Sequence, residues 1–493
     1  MKLKKMLKNI PVEMIRGSKD IEITGLSANS KDVAPGTIFI AKKGSRYDGN
    51  AYVLEAISNG ATAVLTDIYN PFLKDIVQII HSDVTSIEAA LAEQYYDKPG
   101  SKLFVVGVTG TNGKTTTATL IKHIMDSIGK RCGLIGTNEY IIGDHHYHAS
   151  HTTPDVITNH RLLHDMTTKD CSAAVIEVSS HALSQGRTKN IPFDTAIFTN
   201  LSQEHLDYHK TMKNYAASKA ILFETLGKQH NDKTTTAIVN KDDRWHKTII
   251  KNCHSNLITY GMKCEADLRI GNISHSEEGT SFDIIHCGEV VRFSWGLLGV
   301  HNIYNCLSAV ALGTTLGIPL KNLSKIIASF PGVAGRLERV ENPLNLKIYV
   351  DYAVTPDAIQ NALSTLQALK PRRIIVVFGC GGDRDKSKRS KMAKICEKNA
   401  DFSVITSDNP RSEDPTTICK EIAKGFRSSS NFTINIDRKD AIAYAIEYAS
   451  AEDIILIAGK GHEKYQIFSH NTIEFNDKDV VNTICEEKTT LAV

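Results

Sequence analysis

Residues 103–128 constrain the fold of this chain more than any other stretch. The β-branched and apolar run from Leu103 to Val108 leads into Gly110-Thr111-Asn112-Gly113-Lys114-Thr115-Thr116, and apolar Leu120, Ile121, Ile124, Met125 and Ile128 then recur at helical spacing. Strand, glycine turn and helix in that order form the opening unit of a parallel α/β sheet, with the turn at the edge where such sheets take ligands. Small residues there let backbone N–H groups close around phosphate oxygens, while Lys114 neutralises charge and Thr115 offers a hydroxyl to magnesium. The strict phosphate-loop pattern asks for glycine at position 108, where Val108 stands; what remains is Gly107-x-x-Gly110-x-x-Gly113-Lys114-Thr115. The turn predicts a bound nucleotide, ATP, and with it an enzyme that consumes it.

One such unit does not fill 493 residues. At ~150 residues per domain, the length predicts three domains of an α/β protein. We place a small mixed α/β domain over 1–98, a central domain with a parallel ATPase-like sheet over 99–335, and a Rossmann-like doubly wound domain over 336–493. The first carries apolar segments from Gly36 to Ala41 and Ala61 to Leu65, with a helix-like stretch from Tyr52 to Ser58. In the second, strands Ala173 to Val178 and Thr195 to Phe198 end in Glu177-Val178-Ser179-Ser180-His181 and Thr199-Asn200, which a parallel sheet delivers to the edge of the glycine turn. In the third, strands Ile374 to Phe378, Phe402 to Thr406, Thr433 to Ile436 and Asp453 to Ala458 alternate with helical patterns at Lys391 to Glu397, Thr416 to Phe426 and Lys439 to Tyr448.

Charge narrows the partners. The 58 basic and 55 acidic residues are mixed along the chain and leave a net charge of +3, so small molecules rather than nucleic acid are expected. Ten cysteines stand singly, as reduced thiols of a cytoplasmic protein would. The basic start, Met1 to Gly17, is broken by Lys8, Asn9, Pro11 and Glu13 before a signal-peptide core forms, and no apolar run is long enough for a membrane span. A cytoplasmic monomer without membrane insertion is the expectation.

Thr109-Gly110-Thr111-Asn112-Gly113-Lys114-Thr115, Glu177-Val178-Ser179-Ser180-His181, Asn200-Leu201-Ser202-Gln203-Glu204-His205-Leu206-Asp207, His301-Asn302-x-x-Asn305 and Gly335-Arg336-x-Glu338 follow one another in this chain. Their identity and order resemble the Mur ligase family, the amide-forming enzymes of peptidoglycan precursor synthesis, over nearly the whole length. The resemblance implies that Gly110, Thr111, Asn112, Gly113, Lys114, Thr115, Thr116, Asn302, Arg336 and Asp351 bind ATP. It implies that Lys114, Glu177, His205 and Lys219 carry catalysis, with magnesium held by Thr115, Glu177, His205 and a carbamate on Lys219. A carboxylate suits that hard cation, while imidazole is a less usual ligand. Carbon dioxide added to the neutral amine of Lys219 turns a cation into an anion that can help hold magnesium.

Gly379-Cys380-Gly381-Gly382-Asp383-Arg384-Asp385, Asp408-Asn409-Pro410-Arg411 and Ala458-Gly459-Lys460-Gly461-His462-Glu463 are similar to the branch of the family that adds meso-diaminopimelate to UDP-N-acetylmuramoyl-L-alanyl-D-glutamate. Lysine-adding relatives lack the arginine of the second segment. By the same resemblance Ser30, Ser45, Arg46, Tyr47, Thr152, Thr153, Ser179, Gln185 and Arg187 meet the UDP-sugar peptide, and Arg384, Asp408, Asn409, Pro410, Arg411, Gly459 and Glu463 form the diaminopimelate pocket. The chemistry agrees: diaminopimelate carries two amines and two carboxylates, and an arginine fork suits a carboxylate through two parallel hydrogen bonds. The C-terminal domain is expected to close on the central one and keep water from an acyl phosphate.

The chain departs from the family pattern at Val354, where relatives carry histidine, at His151 in place of asparagine, at Ser390 in place of proline, and at Asn29 and Lys31 beside Ser30. L-Lysine as the incoming amine, folate polyglutamylation, and a nucleotide-binding scaffold without chemistry are the competing readings. Arg411 counts against lysine, because a single-headed amino acid leaves that arginine unpaired. Lys114, Glu177, His205 and Lys219 together count against the scaffold.

Overall fold

Continuous runs of Val, Ile, Leu and Ala make strands that bury both faces, and such strands gather into parallel sheets covered by helices. A computed structural model describes residues 1–44, 47–228, 234–276 and 279–491, and shows three such sheets in chain order. Ser45 and Arg46, expected beside the UDP portion, lie outside the described residues. The first sheet orders Met14–Arg16, Val77–Ile80, Ala61–Thr66, Thr37–Ala41 and Gly25–Ser27, parallel except for the first pairing. Its core continues past the sheet onto Val156 and Ile157, which open the Val156–Thr168 helix of the central unit.

The central sheet has 11 strands. Phe104–Thr109 lies at its middle, paired in parallel with Ala173–Glu177 on one side and Thr195–Phe198 on the other. Strand order reverses at that point, so the glycine turn after Thr109 opens into a crevice flanked by two other strand ends. The helix Lys114–Ser127 follows, its apolar side buried in one core, while Val156–Thr168 and Met212–Thr225 cover the opposite face. Antiparallel strands Leu268–Ser276, Gly279–His286 and Glu289–Trp295 extend one edge, an addition that the parallel reading did not include.

The third sheet orders Glu338–Val340, Lys347–Asp351, Ile454–Ala458, Ile374–Phe378, Phe402–Ile405 and Phe432–Ile434, with only the first pairing antiparallel. Helices Ser387–Asn399, Pro415–Ala423 and Arg438–Tyr448 alternate with the strands as expected. Cores lie on both faces, and Leu298 of the central unit packs into one of them. All ten cysteines are free thiols, and among the described residues no helix is long and apolar enough to cross a membrane.

Candidate active site

The loop between Thr109 and Lys114 holds its shape through its neighbours. The Thr111 amide donates to the Asn200 carbonyl at 2.8 Å, and the Asn112 amide to Asn200 Oδ1 at 3.0 Å. Thr199 Oγ1 donates back to the Asn112 carbonyl at 2.7 Å. Gly113 has φ +84°, and a Cβ there would lie 2.2 Å from Asn305 Oδ1, so both backbone and space require glycine. Asn305 in turn donates to Asn302 Oδ1 at 3.0 Å, which brings the helix Val300–Thr315 against the loop.

Two lysines meet at this loop, Lys219 buried and Lys114 half-buried. Lys114 Nζ donates to the Gly110 and Thr111 carbonyls at 3.0 and 2.8 Å, and Lys219 Nζ reaches the Gly110 carbonyl at 2.8 Å from the helix Met212–Thr225. Burial, and then the neighbouring Lys114 charge, hold the Lys219 amine well below the ordinary lysine range. Burial lowers Lys114 too, opposed by Glu204 and Glu177. Thr116 is buried in the first turn of the helix Lys114–Ser127.

Thr115 Oγ1 donates to Glu177 Oε2 at 2.9 Å, and the wholly buried Glu177 carboxylate accepts two further bonds from Thr137, amide to Oε1 at 2.9 Å and hydroxyl to Oε2 at 3.0 Å. Thr137 Oγ1 also reaches Thr152 Oγ1 at 3.1 Å. Thr153 Oγ1 accepts from the Ser179 amide and donates to the Glu177 carbonyl, and Arg187 Nη1 binds the Thr153 carbonyl at 3.0 Å while its fork grips Gln185 Oε1. The expected sugar-peptide residues of this domain therefore form one chain of bonds ending at Glu177. His205 stands in the left-handed region at φ +55°, and its imidazole is lowered by burial. A threonine hydroxyl and a carboxylate fit a hard oxygen-seeking cation; Lys219 fits one only as an anion. Among the described residues no group of three or more His, Cys, Asp or Glu side chains is arranged for a metal.

In the N-terminal unit Ser30 Oγ donates to Glu55 Oε2 at 2.9 Å, and Tyr47 is exposed. At the other boundary, Arg336 Nη2 donates to Thr115 Oγ1 at 3.2 Å while its guanidinium lies over the Tyr352 ring. Asp351 Oδ2 accepts from the Leu337 amide at 2.7 Å, and burial pushes its carboxyl up to about 6. Val354, three residues past the strand Lys347–Asp351, accepts Lys388 Nζ at its carbonyl. A cavity of about 290 Å³ opens between the helices Val300–Thr315 and Pro356–Gln367, lined by His301, Tyr304, Asn361 and Thr365.

The C-terminal strand ends lie side by side. Asp408 and Asn409 are buried, and a Cβ on Gly459 would meet Asp408 Oδ2 at 2.5 Å. Arg411, at φ +52°, turns its Nη1 onto the Gly382 carbonyl at 2.9 Å, and its amide binds the Ile467 carbonyl. Arg384 stands exposed on the neighbouring loop. Asn409 Nδ2 donates to Glu463 Oε2 at 2.8 Å, and Pro410 lies between Asn409 and Arg411 in sequence.

Three family models match the chain in order: the Mur ligase family catalytic domain over residues 22–103, the Mur ligase middle domain over 108–313 and the glutamate ligase domain over 335–461. The chain is 45% identical over 489 residues to UDP-N-acetylmuramoyl-L-alanyl-D-glutamate–2,6-diaminopimelate ligase from Chlamydia felis, covering 98% of this chain and 99% of that protein. The chain belongs to the Mur ligase family. A solved UDP-N-acetylmuramoyl-L-alanyl-D-glutamate–2,6-diaminopimelate ligase superposes on this Mur ligase with a TM-score of 0.70 at 30% identity, covering 98% of this chain and 99% of that one. The MurF ligase of Thermotoga maritima, solved in complex with ADP, shares the fold with a TM-score of 0.63 at 19% identity, over 95% of this chain and 98% of its own.

Sequence reasoning missed Thr137 and Lys460. Thr137 follows the strand Cys132–Ile135, so the rule that strand ends at the sheet edge carry ligands pointed to it. Lys460 carried no such signal, since a lysine in a loop ordinarily reads as a solvated charge.

Proposed function

We infer that this Mur ligase joins meso-diaminopimelate to the D-glutamate of UDP-N-acetylmuramoyl-L-alanyl-D-glutamate, consuming ATP, in peptidoglycan precursor biosynthesis. The observation that carries this is a continuous path from the phosphate loop to the amino-acid pocket. Thr115 meets Arg336 at the hinge, and Gly335 packs so tightly on Gly461 and His462 that a Cβ would lie 2.2 Å from the His462 amide. Glu463 is the next residue, so hinge, nucleotide loop and amine pocket form one site.

A carboxylate is a poor electrophile. The D-glutamate carboxylate oxygen attacks the γ-phosphorus of ATP, the bond to the bridging oxygen breaks, and ADP leaves with an acyl phosphate formed. The diaminopimelate amine then attacks the acyl carbon, loses a proton, and expels phosphate as the amide forms. Lys114 and the loop amides balance the phosphate charge, so catalysis rests on positioning and electrostatics. Magnesium, held by Thr115, Glu177, His205 and a Lys219 carbamate, supplies further neutralisation of that charge when bound. Arg187, Gln185, Ser179, Thr152 and Thr153 orient the sugar peptide, with Ser30 and Tyr47 at its UDP end. Arg384 and Arg411 take a diaminopimelate carboxylate, Glu463 an ammonium, and closure of residues 336–493 on 99–335 excludes water. We read residues 1–98 as the UDP-binding domain and the whole as a cytoplasmic monomer.

Phosphate release by the purified protein, given ATP, magnesium and the sugar dipeptide, tests this with meso-diaminopimelate, L-lysine and glutamate compared. Stimulation by diaminopimelate is expected. Stimulation by lysine alone overturns the amine, and no turnover with any amine turns the reading to a nucleotide-binding scaffold.

A further inference from the structure

Lys460 is the only residue of the loop Gly459-Lys460-Gly461 with a charged side chain, and that side chain is wholly buried. Its Nζ donates to Glu463 Oε2 at 2.9 Å and to Asn409 Oδ1 at 3.1 Å, and lies over the Tyr465 ring. Asn409 is locked from three directions: Oδ1 also accepts the Ile467 amide at 3.0 Å, and Nδ2 donates to Glu463 Oε2. Oε2 of Glu463 therefore carries two donors, while Oε1 has no donor among the described residues. A second buried cation, Arg438, has its charge met by Asp477, Nε at 2.7 Å and Nη2 at 2.8 Å; Nη2 also donates to the Ala458 carbonyl and Nη1 to the Ser407 carbonyl. Those carbonyls precede Asp408 and Gly459, so Arg438 braces the two strand ends and leaves Lys460 to the side chains between them.

A buried ammonium is costly unless it is paired and hydrogen-bonded, and Lys460 spends its pairing on a residue at the mouth of the amine pocket. We propose that Lys460 is a positioning residue for the incoming amine: it fixes one oxygen of Glu463 and the amide of Asn409, so that the other Glu463 oxygen is held for an ammonium of diaminopimelate. Lys460 touches no substrate in this role, and Asn409 works through Glu463. The inference rests on the amine pocket assigned above. That assignment fails if the wild-type protein shows no turnover with diaminopimelate, before any variant is made.

The test is steady-state kinetics of Lys460→Met, which keeps the stem and removes the charge, with Lys460→Gln as a second variant that keeps a neutral donor. Loss of a charge-assisted bond to the positioning carboxylate predicts a rise in KM for diaminopimelate of about 10- to 100-fold for Lys460→Met. The rise in KM exceeds the fall in kcat, and the KM values for ATP and sugar dipeptide stay within about twofold of wild type. Lys460→Gln, which folds with least disturbance, shows the same selective rise at smaller size. Glu463→Gln raises KM by itself, and adding Lys460→Met to it costs less than about threefold more, because the carboxylate that Lys460 positions is already gone. An unchanged diaminopimelate KM in both Lys460 variants, equal rises for all three substrates, or fully additive effects in the double variant would each overturn the proposal.

Discussion

Replacing Gly113 by alanine separates what the phosphate loop requires from what any left-handed glycine requires. Gly113 has φ +84°, and its Cβ would stand 2.2 Å from Asn305 Oδ1, where ordinary contact begins at 3.4 Å. Gly129 lies at the far end of the same helix with φ +76° and nothing within 4 Å of a Cβ. Left-handed backbone costs alanine about 1–2 kcal/mol at either position. At Gly113 the Asn305 amide must also retreat by about 1 Å in a close-packed interior, and the Asn305 to Asn302 bond is worth about 1 kcal/mol more. Gly113→Ala should therefore weaken nucleotide binding by roughly 2–3 kcal/mol, or about 30- to 150-fold. Gly129→Ala should lower the melting temperature and leave nucleotide affinity alone. Calorimetric titration with ADP, beside thermal denaturation of both variants, measures the two effects. Equal ADP affinities in the two variants would refute the steric reasoning, whatever their stabilities.

Acid should loosen the C-terminal domain through Glu413, whose carboxyl is held down to about 2 by Arg389, then by the Asp383 amide and Lys386. A depressed carboxyl contributes its stability above the ordinary value of 4.5 and loses it as pH falls toward 2. Glu413→Gln should flatten the melting temperature in that window, and an unaltered acid profile would count against the assignment. Lys219→Arg keeps a buried cation that cannot take up carbon dioxide, so turnover should fall by at least about 100-fold with the fold intact by circular dichroism. Near-normal turnover in that variant would rule out the carbamate.

Several strands of continuous apolar residues were legible, though Cys132–Ile135 and Thr236–Asn240, equally buried, were not read. Thr195–Phe198 and Ile374–Phe378 fall where the residue pattern put them, because burial on both faces leaves no polar position to blur their ends. The Leu268–Trp295 strands escaped notice because their outer faces meet solvent; Glu289–Trp295 alternates exposed and buried residues over seven positions interrupted by polar turns. In the site, Lys114, Glu177 and Arg411 were readable from their place after strands. Thr137 had a signal that went unread, its place after the strand Cys132–Ile135, and Lys460 was hidden by a residue type that burial seldom takes.

The sequence by itself determined that a phosphate loop opens a parallel sheet, that a second doubly wound sheet follows, and that arginines wait at its strand ends. These are local facts, set by apolar period, glycine placement and strand-end chemistry. Only the tertiary structure decided that Glu177 is held by Thr115 and Thr137, that Arg336 bonds Thr115, and that Lys460 and Asn409 both donate to Glu463. Apart from the Lys460–Glu463 bond, which spans three residues, those bonds join residues far apart in the chain, and their partners are fixed by how strands stack and cross, which no spacing along one segment encodes.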